Sequence, residues 1–146
     1  MPKRIPSGEH LVNLDGKGRV VIPVSFRDYL KKGLVLTRGF EGGIDVITPA
    51  DWQKLEERLE GLPLTDPDTR NFVRFYYAPA QKTKLDGQGR VLIPPSLRRF
   101  AGLTARAVIT GVMDRIEIWD EQRFFDHLEE TRNAPFVPES LRDIVI

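Results

Sequence analysis

The sequence predicts an α+β protein: two copies of one β-rich unit with packed helices, related by an internal pseudo-two-fold axis. Three observations predict it. LDGKGRVVIPVSFR at 14–27 returns as LDGQGRVLIPPSLR at 85–98, identical at ten of 14 positions and displaced by 71. Short β-branched runs bounded by Gly, Pro and Asp surround both segments, which is strand and turn chemistry. Capped helical stripes then close each half. The 146 residues suit one domain or two half-size ones, at roughly 150 residues per domain. No low-complexity linker divides the halves, so the repeats, 1–77 and 78–146, are expected to share one core rather than hang as separate beads.

The elements follow in order. Glu9 to Leu14 reads as a strand with Leu11, Val12 and Leu14 apolar. Asp15-Gly16-Lys17-Gly18 is a turn, because Asp-Gly favours tight hairpins and Gly18 can take positive φ. Arg19 to Ile22 is a second strand. Pro23 stops it, having no donor for the ladder. Ser25 to Leu30 reads as a short helix that turns Phe26, Tyr29 and Leu30 inward. Leu34 to Thr37 and Ile44 to Ile47 are strands around a glycine-rich turn at 39–43. A helix follows, with Thr48 as N-cap, Pro49 in its first turn and Asp51 at the third position. Trp52, Leu55 and Leu59 form its stripe, and Gly61 ends it. Asp66 caps another helix, with Pro67 at the first position, Phe72, Phe75 and Tyr76 as the buried side, and Pro79 as the stop. In the second copy the strands fall near 82–85, 90–93, 106–110 and 115–119. Asp120 then caps a helix to about Thr131, carrying Phe124, Phe125 and Leu128. After Pro138 the tail ESLRDIVI is amphipathic.

Composition excludes several chemistries. The chain is 40% hydrophobic and 29% charged, a globular balance. It has no cysteine, which removes disulfides, cysteine zinc sites, iron–sulfur clusters and thiol catalysis. His10 and His127 are too few for a three-histidine metal site and occupy unmatched places in the two copies, so both read as surface or packing residues. No cofactor and no metal are expected. No apolar run approaches the ~18 residues of a membrane span, and MPKRIPSG is followed by no apolar stretch, so the cytoplasm is the expected location. The repeated Gly-x-Gly opens a strand rather than a helix, which removes the anion-holding helix terminus of a nucleotide fingerprint. Gly16, Gly18, Gly87 and Gly89 read as turn residues. Asp15 and Asp86 pose a pair of carboxylates that hydrolysis or Mg²⁺ binding would use. Each has an arginine four residues on and fits an Asx-turn role better. No Ser–His–Asp arrangement emerges, so neither an enzyme nor a small-molecule substrate is expected.

The net charge of +1 conceals an alternation. Residues 1–38 hold eight Lys and Arg against three Asp and Glu; residues 45–68 hold two against seven. Residues 70–106 hold eight against one, and 114–130 two against seven. A bland reading is a solvated basic face. Two similar basic turns related by an axis suit duplex DNA better, since phosphates attract such a face and arginine reads guanine edges. A two-stranded ribbon fits the major groove. Exposed aromatics do not alternate with these charges, which disfavours single-strand stacking.

The doubled D-x-x-G-R-x-x-x-P-x-x-x-R, at 15–27 and 86–98, resembles the MraZ family of bacterial transcriptional regulators, as does RIEIWD at 115–120 before an aromatic-bearing helix. That family is similar to the AbrB/SpoVT swapped-hairpin DNA-binding proteins. The resemblance implies duplicated AbrB/SpoVT-like β-barrel half-units in one chain, closed-ring homo-oligomers, and binding to short repeated boxes of double-stranded DNA. It implies a repressor of the division and cell-wall gene cluster, associated with the nucleoid. Carried over by position, the DNA-contacting signature falls on Asp15, Lys17 and Arg19, and in the second copy on Asp86, Gln88 and Arg90. Arg19 and Arg90 take the main recognition or phosphate role, Lys17 a phosphate or base contact, and the two aspartates orient the turn or the arginine. Lys3 and Arg4 add backbone contacts, and Lys82 and Lys84 make the second turn more basic than is usual in the family. An antitoxin-like or scaffolding protein on the same fold, with secondary DNA binding, is the alternative.

Overall fold

The structure is a computed structural model and describes residues 4–132 and 139–145. Lys3 and Pro138 lie outside them. The first copy contributes β1 (Glu9–Asn13), β2 (Arg19–Val21), α1 (Val24–Arg27), β3 (Leu34–Arg38) and β4 (Ile44–Ile47). α2 (Pro49–Glu60) and α3 (Pro67–Phe72) follow. The second copy contributes β5 (Gln81–Thr83), β6 (Arg90–Leu92), α4 (Pro95–Ala101), β7 (Arg106–Gly111) and β8 (Ile116–Asp120). α5 (Glu121–Thr131) and α6 (Glu139–Val145) complete it.

Local chemistry sets the helix ends. Thr48 accepts from the Asp51 N–H, Asp66 from the Asp68 N–H and Asp120 from the Arg123 N–H, so three helix starts carry the expected caps. α1 is shorter than the predicted helix and tightens into a 3₁₀ turn over Asp28–Leu30. The copies differ at the cap that follows. α4 ends in Gly102, whose left-handed φ of 67° lets Leu103 N–H reach Arg98 O at 2.9 Å. Lys31 occupies that place in the first copy with a right-handed φ of −56°, so the same cap does not form. α3 widens into a π turn over Val73–Tyr77, ending just before Pro79 as that proline requires.

The Asp15–Gly18 turn closes locally, but it does not make the hairpin that Asp-Gly suggests. Gly18, at φ 84°, donates to Asp15 O at 3.0 Å, and Asp15 N–H donates to Arg19 O at 2.9 Å. Beyond that, the two strands part. β1 pairs antiparallel with β7, and β2 pairs antiparallel with β6. Every strand flanking a repeated turn in the first copy therefore finds its partner in the second.

The six-stranded sheet runs β1-β7-β8-β4-β3-β5, and β2 with β6 forms a separate ribbon. That order is the same from either end once copies are exchanged. Register locates the axis. In the ribbon Val20 faces Val91, with Arg19 opposite Leu92 and Val21 opposite Arg90. In the sheet Asp45 faces Glu117, with Ile44 opposite Ile118 and Val46 opposite Ile116. Each is a self-complementary pairing, the pattern of a two-fold contact between subunits written inside one chain.

One core serves both halves. Val20, Ile22, Phe26 and Leu30 pack with Val91, Ile93, Leu97 and Ala101 between ribbon and sheet. Separate beads are thus excluded; each large apolar side chain among them contributes about 1.5–3 kcal/mol on burial. A second cluster joins Val35, Ile47, Trp52 and Tyr76. Phe40 stacks 5.2 Å from the Tyr76 ring and 5.6 Å from Phe75. The corresponding cluster of the second copy holds Val108, Trp119 and Phe124. Of the apolar residues that α5 carries, Phe124 is buried while Phe125 and Leu128 are exposed, as are Leu141 and Ile144 on α6.

Candidate nucleic-acid interface

Each repeated turn is held by its aspartate in the same way. Asp15 Oδ1 accepts from the Lys17 and Arg19 backbone N–H groups at 2.9 Å each, and Oδ2 accepts from Arg19 Nε at 2.7 Å. Asp86 repeats this with Gln88 N–H and Arg90 N–H at 2.9 Å each, and Arg90 Nε at 2.8 Å. An Asx-turn thus fixes the backbone while the second carboxylate oxygen orients the arginine. The bond from the Arg19 backbone N–H, helped by the Arg19 side chain and the Lys17 N–H, holds the Asp15 carboxyl down at about 2. The Asp86 carboxyl is lowered in the same way, first by the Arg90 backbone N–H. Both aspartates are committed to their turns as charged acceptors. No group of three or more His, Cys, Asp or Glu able to hold a metal exists among the described residues.

The arginines are not sealed in. Among the described residues, the Arg19 and Arg90 guanidinium groups bond only to their own aspartates, through Nε, leaving the Nη edges open. Alternation along the ribbon puts Val20 and Val91 inside and Arg19, Val21, Arg90 and Leu92 on one outer face. Val21 and Leu92 are exposed there, each directly across the ladder from an arginine, Val21 from Arg90 and Leu92 from Arg19. Sequence reasoning missed these exposed aliphatic side chains, since a three-residue strand is too short for periodicity to declare a face. The turns sit at opposite ends of the ribbon. Gly18 lies opposite Ile93 and Gly89 opposite Ile22, so they are separated along the ladder by about 13 Å at ~3.3 Å per residue.

The other predicted residues are distributed more widely. Lys17 and Gln88 are exposed at equivalent tips of the two turns. Arg4 is exposed beside Ile5, which bridges Met113 at the β7–β8 loop. It sits at the far end of β1 from Asp15 and does not join the turns. Lys82 and Lys84 lie on and just after β5, the edge strand next to β3. With Lys32 and Trp52 they line an open cavity of about 480 Å³ against α2. Lysine on an edge strand also guards against strand addition.

Two further arginines reach the turns from the opposite copy. A Cβ built on Gly89 would lie 2.5 Å from the Arg27 guanidinium carbon, and one on Gly18 would lie 2.5 Å from that of Arg98. Arg27 Nε donates to Ile22 O at 2.8 Å. The Arg98 Nε is buried with no partner among the described residues. The motif contained both arginines, but nothing in the sequence says which turn each one touches.

A polar network occupies the sheet at the axis. The Tyr76 hydroxyl donates to Asp45 at 2.7 Å, and Arg115 donates to Asp45 at 3.3 Å and to Glu117 at 2.9 Å. Burial pushes the Asp45 carboxyl up to about 6, against the pull of Tyr76 and Arg115. Burial likewise raises the Tyr76 phenol, with Asp45 adding to it. Burial opposes the Arg115 charge, but Asp45 and Glu117 outweigh it and its pKa lies above the ordinary value.

Fold and site together define a class: a duplicated α+β protein in which two glycine turns flank a basic two-stranded ribbon on the pseudo-axis. The chain belongs to the MraZ family, whose profile, described as "MraZ protein, putative antitoxin-like", matches residues 5–75 and again 76–145. It is similar to the transcriptional regulator MraZ of Thermus thermophilus, with 50% identity over 143 residues, 97% of this chain and 99% of that relative. The protein of the same name from Deinococcus radiodurans is 44% identical over 141 residues, 97% and 99% of the two chains. That of Lactobacillus helveticus is 45% identical over 139 residues, 94% and 96%.

Proposed function

We propose that this chain is a sequence-specific double-stranded DNA-binding transcriptional regulator. One observation carries the reading: Arg19 and Arg90 lie on the same exposed face of the β2–β6 ribbon, each oriented by its own aspartate with its Nη edge open. A two-stranded ribbon fits the major groove, and a fixed guanidinium reads guanine O6 and N7 or binds phosphate. The relatives' name, transcriptional regulator, supports it. In this reading Lys17 meets phosphate or base, Gln88 does so weakly, and Asp15 and Asp86 hold the turns. Lys3, Arg4, Lys82 and Lys84 supply peripheral contacts with the DNA backbone. The reading requires no catalytic step and no cofactor.

The repeats 1–77 and 78–146 act as two AbrB/SpoVT-like half-units of one swapped-hairpin barrel, a reading supported by the crossed strand pairing. Closed-ring homo-oligomers would present several such ribbons to short repeated DNA boxes, converting weak contacts into strong binding through effective concentration. The regulator represses the division and cell-wall gene cluster by occluding its promoter, in the cytoplasm and on the nucleoid. An antitoxin-like or scaffolding role is the second reading. Phe125, Leu128, Leu141 and Ile144, exposed on α5 and α6, favour it by offering apolar surface to a protein partner.

The test is binding to the DNA upstream of the chain's own gene against a scrambled duplex, repeated across a salt series. A preference that persists across salt is expected. A steep salt slope without preference would reduce the activity to non-specific attraction.

A further inference from the structure

The last arginine of each motif copy, Arg27 and Arg98, has no part in the reading above. Arg27 ends α1 in the first copy, but its guanidinium covers Gly89 in the second. Its Nε donates to Ile22 O at 2.8 Å, and the same Ile22 donates its N–H to Gly89 O at 2.8 Å. Arg27, Ile22 and Gly89 thus form one connected patch across the axis. On the other side Ile93 N–H donates to Gly18 O at 3.0 Å, and the Arg98 guanidinium covers Gly18. Positive φ, 84° at Gly18 and 75° at Gly89, favours glycine at both places, and a Cβ there would push the arginine's guanidinium aside.

We infer that Arg27 and Arg98 are crossed positioning residues, each holding the DNA-reading turn of the opposite copy. Arg27 acts on Asp86–Arg90, and Arg98 acts on Asp15–Arg19. The planar guanidinium lies against the glycine and limits the path the turn can follow. This fixes the backbone N–H groups that grip the aspartate, and through the aspartate the Nη edge of Arg90 or Arg19. Neither repeat then owns a complete turn. The consequence for DNA recognition rests on the function proposed above; the crossed support itself does not.

The two parts are therefore tested separately. Hydrogen–deuterium exchange on the free full-length chain reads the support without DNA. Arg27→Ala should speed exchange in residues 85–91 and leave 14–20 unchanged, and Arg98→Ala should do the reverse. Equal change in both turns, or change only in the variant's own copy, overturns the inference. Double-mutant cycles on binding to the upstream duplex read the consequence. Arg27→Ala should couple with Arg90→Ala, and Arg98→Ala with Arg19→Ala, by roughly twofold or more in affinity, while Arg27 with Arg19 and Arg98 with Arg90 should be additive. A structural role lowering global stability predicts no crossed pattern. Arg27→Lys keeps the charge but loses the plane; wild-type exchange and affinity in that variant would also overturn the inference. Failure of the wild-type chain to prefer its own upstream DNA would sink the functional reading instead, with the exchange result still standing.

Discussion

The first and second copies share their turns almost atom for atom, and their strand order is symmetric, but they differ in charge and in helix packing. The hydrogen bonds on Asp15 and Asp86 agree within 0.1 Å. Yet Lys17 stands where the second copy has Gln88, and Lys82 and Lys84 stand where the first has Leu11 and Asn13. The first copy folds α2 and α3 over Trp52, Phe40 and Tyr76, while α5 and α6 leave much of their apolar surface uncovered. Within the repeated turns the residues that define backbone geometry are identical, whereas outside them charge, helix packing and the cap at Lys31 and Gly102 have diverged. Turn geometry is thus a property of the pair, whereas charge and docking surface belong to each copy.

The largest expected effect concerns packing. Trp52 is 1% exposed within a continuous aromatic cluster, and Phe124, its positional counterpart, is 8% exposed in a cluster of three buried residues. Trp52→Ala should cost about 3–5 kcal/mol, and Phe124→Ala should fall at or below the lower end of that range. Denaturant unfolding checks this; equal losses would remove the distinction between the helical layers.

Next come the arginines. Arg19→Ala and Arg90→Ala should each weaken specific DNA binding by about 1–3 kcal/mol, the scale of one good base contact, with little loss of stability because both are part-exposed. Similar losses would mark the ribbon as one symmetric reader. A loss confined to Arg19 would assign reading to the first copy and leave the second for assembly. Unchanged binding at several salt concentrations in either variant would remove that residue from the interface.

Acid separates the axis from the turns. Asp45 titrates near 6, above its ordinary value of 3.8, so the folded state binds its proton more tightly than the unfolded chain. Its stabilising contribution is full below about pH 4 and is lost as pH rises through about 6, on the order of 3 kcal/mol. Asp15 and Asp86 have the opposite sign. Their contribution is present above the ordinary carboxylate range and is lost as pH falls, for Asp15 through about 2. Asp45→Asn should therefore flatten the stability change between about pH 4 and 7 and leave the loss below about pH 4 in place. Thermal unfolding across that range is the check; an unaltered profile would detach Asp45 from it.

The sequence made the local devices legible and left their partners hidden. Thr48, Asp66 and Asp120 cap helices because capping depends on neighbours two or three residues away. Asp15 and Gly18 declare a turn for the same reason. Strand alternation identifies a buried face, not which strand lies beside it, so the pairing of β1 with β7 and β2 with β6 was not readable from pattern. Asp45 and Arg115 are 70 positions apart, and the reach of Arg27 to Gly89 crosses the axis. Both depend on register, which only the assembled fold supplies.

The smallest expected effect isolates the charge difference between the turns. Lys17 is exposed and offers one ammonium group near the ribbon, while Gln88 at the equivalent tip offers none. If the first turn binds phosphate through Lys17, Lys17→Gln should lower the slope of log affinity against log salt by about one and weaken binding uniformly across sequences. Gln88→Lys should raise the slope by a similar amount. Applying both changes should move the charge between turns and restore the original slope, because the turn backbones are equivalent and total charge is unchanged. A double variant that kept the Lys17→Gln slope would mean that the second turn does not approach phosphate, making the two turns structural equals with unequal access to DNA.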